Sequence, residues 1–589
     1  MTTVAAAAAL LVCAAPAWGD VPVPEDGFAP VQLANEPCED RTYPECRRLR
    51  FTYGPIAVTP GNNAQFVGPV TIEKPAEDGY MTRFRPDLVR ADGTAPPVDE
   101  VHLHHATWLN LTERGTHPFI AAGEEKTIAE PRPPYGSLVR ASDTWQLNYM
   151  LHNGTPRTET LWVVYDVDFT PRAAAERRGI RPVVPVWLDV MLDSDHATYP
   201  VFNAQMGFGG LNPQTGEREC AFPRETCASF TPYGEPQPGN GRGWDYPVTN
   251  AIAGTVVGAA GHVHPGGLRT ELSVVRDGRE RRIFDSDAVY WDPNGPVSWD
   301  MSMTTADEDW RVQIRPGDRL RMNAVYETQR ASWYEGMGIM MLWVAPGERG
   351  GVDPFAQRRV RERYRARVRR RVPLRRRGKV LRRNGKVVRR NGKVVRRPGP
   401  VVRRRGRVVR VWRTRRAWRW RWVMRPVPID TEGHVTHGHL PEASRHGGQA
   451  ARPIQARDGQ EAVDIGIVNF RYSAGDMATL DRDGIPLVRY GGRLSFHNFD
   501  AAAGIWHTIT TCKPPCNGMV GISYPLADDP SRLDSLELGY GPTRQFGQPV
   551  SNRNSYSIEP AKVKLAPGSV ATYYCRVHPF MRGAFKVVK

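Results

Sequence analysis

Long apolar runs are what this chain most clearly lacks. Past the first twenty residues no stretch offers the roughly 18 unbroken apolar residues that a membrane-spanning helix requires, so no such helix is expected there. Sustained helical periodicity is also scarce, which argues against βαβ units. Cysteine is sparse, at 8 residues in 589. Cys512-Lys513-Pro514-Pro515-Cys516 has no second cysteine pair at zinc-site spacing, so a zinc reading is not favoured. Residues 358–425 lack acid: Glu362 stands alone against 32 Lys and Arg. The net charge of +18 therefore comes from one segment, and the rest of the chain is net acidic.

What is present begins with Thr3 to Gly19, an Ala/Leu-rich stretch ending in Ala17-Trp18-Gly19. It has the length of a signal-peptide apolar region with a small-residue cleavage site, so residues 1–19 are read as a signal peptide. Val12 before Cys13 makes a poor lipidation motif, which leaves lipidation as a minor alternative. Of the other cysteines, Cys38 and Cys46, Cys220 and Cys227, and Cys512 and Cys516 form close pairs, as local disulfides do in an oxidising compartment. A secreted, periplasmic or envelope-associated protein is expected.

At this length several domains are expected. From Asp20 to about Gly347 short β-type runs recur: Phe66 to Ile72, Leu161 to Asp166, Val183 to Val190, Gly254 to Ala259, Leu268 to Val275, Leu320 to Tyr326 and Ile339 to Val344. Turn chemistry such as Asp277-Gly278 and Arg315-Pro316-Gly317-Asp318 separates them, which predicts antiparallel sandwiches. Residues 375–409 are five heptads of the type RRNGKVV, each with Gly at its centre and apolar residues only as an adjacent pair, unlike a coiled coil. Asn384-Gly385 and Asn391-Gly392 suit hairpin turns, but strands without a core face are marginal. The segment is therefore read as a disordered cationic linker. The tryptophans at 412, 418, 420 and 422 interleave with Arg, which suits an anionic lipid or cell-envelope polymer. Nucleic acid would be drawn by the same charge, but an exported protein seldom meets it in function.

The last fifteen residues hold Cys575, His578 and Met581 in a C-x2-H-x2-M run behind the strand-like Ser569 to Tyr574. Thiolate, imidazole and thioether on one loop become a copper site if a second imidazole arrives, because a His2Cys set with a weak axial Met is the blue-copper geometry. His507 is the candidate, in Trp506-His507-Thr508-Ile509-Thr510, whose alternation reads as a strand. On these residues, 455–589 resembles a cupredoxin, a plastocyanin-like domain. That resemblance implies a Greek-key sandwich with a type 1 copper held by His507, Cys575, His578 and Met581.

Upstream, histidines recur in Val101-His102-Leu103-His104-His105, at His152 and in His262-Val263-His264; Met337 lies in Gly336-Met337-Gly338. On a strand, residues i and i+2 share a face, so His262 and His264 can chelate one ion. Adjacent His104 and His105 can do so only at a bulge or strand end. Order and spacing over about residues 100–345 resemble the copper type II, ascorbate-dependent monooxygenases, the family of peptidylglycine alpha-hydroxylating and dopamine beta-monooxygenases. The resemblance implies two jelly-roll-like sandwiches and two further mononuclear coppers. His104, His105 and His152 would hold an electron-storing copper; His262, His264 and Met337 would hold the catalytic one. Ala106 directly after the His pair and Gly336 between Glu335 and Met337 depart from the family pattern, and Met340 and Met341 compete with Met337. A further His434, His437, His439 and His446 cluster follows the basic segment with no readable ligand geometry.

The expectation is thus an all-β protein: a first monooxygenase-like sandwich over 20–180, a second over 181–350, an Arg/Trp- and His-rich linker over 351–454, and a cupredoxin over 455–589. Its expected function is copper-dependent oxidation, with electrons from a donor or small reductant passing through its own type 1 copper. The alternative is a non-catalytic copper-binding or electron-transfer protein tethered by its basic segment.

Overall fold

A computed structural model describes most of residues 36–589; the larger stretches outside the described residues are 60–64, 192–200, 228–243, 291–300, 437–456, 477–483, 512–524, 527–532, 541–551 and 576–580. The signal segment, the Cys512 and Cys516 pair, His437, His439, His446 and His578 therefore lie outside the described residues. The fold is all-β. The chain forms two compact units, residues Phe355–Ile429 and the remainder.

Within the larger unit, a first pair of sheets is built from β1 (Arg47–Val58), β2 (Gln65–Ile72), β3 (Gly79–Arg90), β4 (Val101–Thr112), β5 (Gly115–Gly123), β6 (Tyr135–Val139), β7 (Thr144–Asn153) and β8 (Glu159–Pro171). One sheet runs β1-β8-β3-β6 and the other β2-β7-β4-β5. Alternating apolar residues bring Phe84, Trp108, Leu147 and Tyr165 into one core between them. Phe84 meets Trp108 edge-on at 5.0 Å and stacks on Tyr165 at 5.6 Å. Each such side chain, fully buried, contributes on the order of 2–3 kcal/mol. This anchors the middle of β4, so its histidine-bearing start is presented from a rigid strand.

The helix α1 (Arg172–Arg178) ends at Gly179, whose φ of 74° is the left-handed cap that glycine favours. Next comes β9 (Arg181–Asp189), which pairs in parallel with β6 and antiparallel with the last strand of the second sheet pair. That pair comprises β10 (Arg218–Phe222), β11 (Gly254–Val263), β12 (Gly267–Arg276), β13 (Arg279–Tyr290), β14 (Met301–Ala306), β15 (Val312–Ile314), β16 (Arg319–Glu327) and β17 (Ser332–Pro346). The sheet β9-β17-β11-β15 faces β10-β16-β12-β13. Every residue of β11 is buried. Asp277 (φ 50°) and Gly278 (φ 72°) close the β12–β13 hairpin as a primed turn. Six of the seven β-type runs read from the sequence lie within strands of this unit, and the seventh, Val183 to Val190, runs one residue past its strand.

Disulfides join Cys38 to Cys46 and Cys220 to Cys227, consistent with an extracellular protein. No helix among the described residues is long and apolar enough to cross a membrane.

The basic segment differs from the expected disordered linker. In the smaller unit, β18 (Arg359–Pro373) and β19 (Trp412–Pro426) form a fifteen-residue antiparallel ribbon, and short hairpins pair Arg382 with Val387 and Arg389 with Val394. Asn384 and Asn391 (φ 48°), each followed by Gly at φ 73°, supply the type I′ turns of the hairpins in the second and third heptads. Trp418, Trp420 and Trp422 share one face and stay more than half exposed. The Arg363 guanidinium lies 5.0 Å from the Trp420 ring, a cation–π arrangement.

The C-terminal segment packs two sheets over one core. They are built from β20 (Asp464–Val468), β21 (Ile485–Arg489), β22 (Leu494–Asn498), β23 (Ser555–Ile558), β24 (Val570–Tyr574) and β25 (Arg582–Val588). Strand β22 lies between β20 and β23, and β25 between β21 and β24. Ile465, Phe496, Tyr573 and Phe585 fill the interior together with Cys575 and Met581.

Candidate metal centres

Strand β24 leads directly into Cys575, which is buried and is a free thiol. His507 does not lie on a continuous strand as its alternation predicted. It makes a single bridge to Leu538, and Thr510 makes single bridges to Asp534 and Tyr574. The reason is where the intervening N–H groups go: Thr508 N–H donates to Cys575 Sγ at 3.2 Å and Ile509 N–H to Ser535 Oγ at 2.7 Å. Side-chain acceptors thus replace a ladder.

The result is a thiol with an oriented imidazole beside it. His507 Nε2 is 2.9 Å from Asp500 Oδ2, which fixes Nε2–H as the donor and leaves the Nδ1 lone pair 3.8 Å from Cys575 Sγ. Burial lowers the His507 pKa against the opposing pull of Asp500, favouring the neutral ring that ligates metal. Burial raises the Asp500 pKa, but hydrogen bonds from His507 and from the Phe470 and Asn469 N–H groups outweigh it and keep the carboxylate ionised. Cys575 N–H donates to Met581 O at 3.1 Å, so the loop returns its Met to the same core. Softness, neutrality and donor orientation fit copper.

The upstream histidines come together as one group. His104 is the extra residue of a β-bulge, since Leu103 pairs with Leu151 and His105 with Met150. A bulge sets two residues against one and re-aims side chains, so the adjacent pair can lie together: its rings are 5.1 Å apart. His102 faces His152 across β4 and β7, with ring centroids at 4.8 Å. His262 and His264 are 5.2 Å apart. His104 then touches His264 at 4.7 Å, joining the two expected ligand sets. Met337 lines the same cavity as His105 and His262.

Burial holds His102 and His104 well below the usual imidazole range, with neighbouring imidazoles adding to the effect, and pushes His105 down to about 3. Neutral rings keep lone pairs for a metal. Among the described residues, no three His, Cys, Asp or Glu side chains are already arranged around a common metal position. The donor chemistry nevertheless fits a cation, since the buried His262 Nε2 has no hydrogen-bond partner among the described residues while its Nδ1–H points at a carboxylate.

Three residues of this region carried no ligand assignment from the sequence. His102 stands at i, i+2 from His104, the spacing already read at 262 and 264. Glu125 Oε2 lies 3.1 Å from His262 Nδ1, and its Oε1 accepts from Gly123 N–H at 2.9 Å. The Tyr326 hydroxyl accepts from His264 N–H at 2.9 Å and Met337 N–H at 2.7 Å and donates to Met337 O at 2.8 Å. It thereby ties the two ligand-bearing backbones together. Nothing in the local sequence signals the last two roles.

No protein family matches this sequence, and no curated protein does. Among solved structures, a copper-containing nitrite reductase from Thermus scotoductus is 11% identical over 57% of this chain and 55% of its own, with a TM-score of 0.13. The chain thus spans about half that reductase's length. The STIV MCP is 13% identical over 50% of this chain and 95% of its own, at 0.19, and the vicilin of Corylus avellana 7% identical over 51% and 76%, at 0.12. Likenesses this slight carry no argument about fold or chemistry.

Proposed function

We propose that this chain is an exported copper-dependent oxidoreductase in which a C-terminal type 1 copper site passes single electrons to an oxidising centre built on the upstream histidines. The observation that carries this reading is the thiol of Cys575, which accepts the Thr508 N–H and faces the Nδ1 of an imidazole locked by Asp500. His507, Cys575 and Met581 would hold copper there, with His578 completing the set. Bound copper supplies a one-electron couple. The surrounding chain supplies a dry pocket, a fixed His507 tautomer and a hydrogen bond that stabilises thiolate, all of which tune such a site.

Upstream, His104, His105 and His152 would take the electron-storing role and His262, His264 and Met337 the reacting role. Tyr326 holds the His264 and Met337 backbones in register, and Glu125 orients His262. The reaction class is monooxygenation: one oxygen atom of O2 enters a C–H bond and the other leaves as water. Two electrons from a donor or small reductant and two protons complete the balance. The second reading is a non-catalytic copper-binding or electron-transfer protein, which upstream sites closed by a fourth protein ligand would favour over the catalytic one. Under either reading the basic ribbon would hold the protein at an anionic lipid or envelope polymer.

The test is optical and analytical. The oxidised protein should be blue or green, and Cys575→Ser should bleach it without changing the upstream copper content. A persistent blue band in that variant would defeat the type 1 assignment. Reductant-dependent oxygen consumption lost in His264→Ala separates the catalytic reading from the binding one.

A further inference from the structure

The geometry points to a neutral, mostly apolar alcohol or amide as the substrate class of the upstream centre. This rests on the histidine cluster being the reacting site, as proposed above. A cavity of about 1000 Å3 opens onto His105, His262 and Met337. That volume stands at the upper end of small-molecule sites. Its walls are built largely of apolar side chains, among them Leu109, Phe119, Trp145, Val186, Trp187 and Ile339.

Charge recognition has little to offer there. The wall's cationic side chain besides histidine is Arg140, which lies 3.9 Å from Asp143. Its carboxylate, Asp189, already accepts from Trp187 Nε1 and Met191 N–H, each at 2.7 Å. Arg140 is half-exposed and meets Asp143 only at 3.9 Å, so a ligand carboxylate buried away from it would find no cation beside it, and burying an unpaired charge is far more costly than burying a neutral group.

Neutral polar recognition is provided for. Ser137, Asn110 and Asn148 line this cavity with neutral hydroxyl and amide side chains, of which Ser137 Oγ and the two Oδ1 atoms are themselves enclosed. Asn110 is oriented by its own Nδ2, which donates to Asp143 Oδ2 at 3.0 Å. Neutral amide and hydroxyl side chains on the wall match a ligand that is itself neutral and both donates and accepts, as a hydroxyl or an amide does. The apolar body would then fill the wall between Phe119 and Trp187, with a C–H bond presented to the Met337 and His262 end.

The experiment uses the full chain and the neutral fluorophore N-phenyl-1-naphthylamine, displaced in turn by 1-decanol, decane and sodium decanoate. Decanol should displace it at a concentration about tenfold below that of decanoate, because only decanoate must bury a charge. The double variant Ser137→Ala/Asn148→Ala should bring decanol close to decane. Val184→Trp at the rim, where Val184 is 37% exposed, and Ala121→Trp on the wall should each weaken every ligand. Equal or better displacement by decanoate, or unchanged affinity in both Trp variants, would overturn the assignment. Copper per chain is measured on the same samples. Decanol binding to protein that takes up no upstream copper upholds the ligand class and defeats the copper reading, whereas copper uptake without decanol binding defeats the ligand class alone.

Discussion

Glu125 and His262, 137 positions apart in the chain, meet with Oε2 3.1 Å from Nδ1. Glu125 follows the last residues of β5 and His262 lies near the end of β11, so this contact bridges the two sheet pairs at the histidine cluster. Its second oxygen is spoken for by the Gly123 N–H at 2.9 Å, which leaves the carboxylate little rotational freedom. A metal-ligating imidazole commonly has its other nitrogen held in this way.

Removing that hold should loosen the upstream site alone. Glu125→Ala should weaken copper retention there by about 10- to 100-fold, the usual effect of losing such a partner, with Glu125→Gln intermediate. A chelator titration followed by elemental analysis reads the change, and the blue band serves as internal control. Retention unchanged in both variants would remove Glu125 from the positioning role.

Tyr326→Phe leaves three backbone groups of His264 and Met337 without their shared hydroxyl. Leaving buried groups unsatisfied costs about 1–3 kcal/mol each, so a destabilised larger unit and a lower upstream copper content are both expected. Denaturant unfolding with a tryptophan signal, alongside copper analysis, checks this. Normal stability and full copper would show that the hydroxyl is dispensable.

Asp285 provides a pH prediction away from any candidate ligand. Burial raises its pKa to about 6, only partly offset by Arg282, so ionised Asp285 is worse accommodated in the folded chain than in the unfolded one. The sign follows: its cost is fully present above pH about 6 and disappears as pH falls toward about 4. Asp285→Asn should therefore raise the unfolding temperature by about 2–4 °C at pH 8, and by less at pH 4. The same increment at both values would contradict the raised pKa.

The ribbon should act as a separable electrostatic tether. Deleting residues 358–425 should abolish binding to anionic vesicles and leave both copper signatures intact. In the full chain, binding should fall steeply between about 0.1 and 1 M salt, as the Debye length shortens from about 10 to 3 Å. Replacing Trp418, Trp420 and Trp422 with Ser should remove the portion that survives high salt, measured by vesicle co-sedimentation. Loss of the blue band on deletion would show the ribbon to be part of the copper domain's fold.

Much of the architecture was legible from local pattern. Short β-type runs bounded by turn residues located strands such as β12 and β16. Asp277-Gly278 and the Asn-Gly pairs marked their turns, because few residue pairs tolerate positive φ at two successive positions. Cys575, His578 and Met581 stood out because their spacing within one loop survives in the sequence itself. What the sequence could not decide was set by contacts between distant segments. The bulge at His104 arises from register against β7, and the meeting of His104 with His264 requires one sheet pair to rest against the other. Glu125, Tyr326 and the cavity wall belong to the same class: their roles depend on distance in space, and strand alternation fixes a side chain's face without fixing what lies across from it.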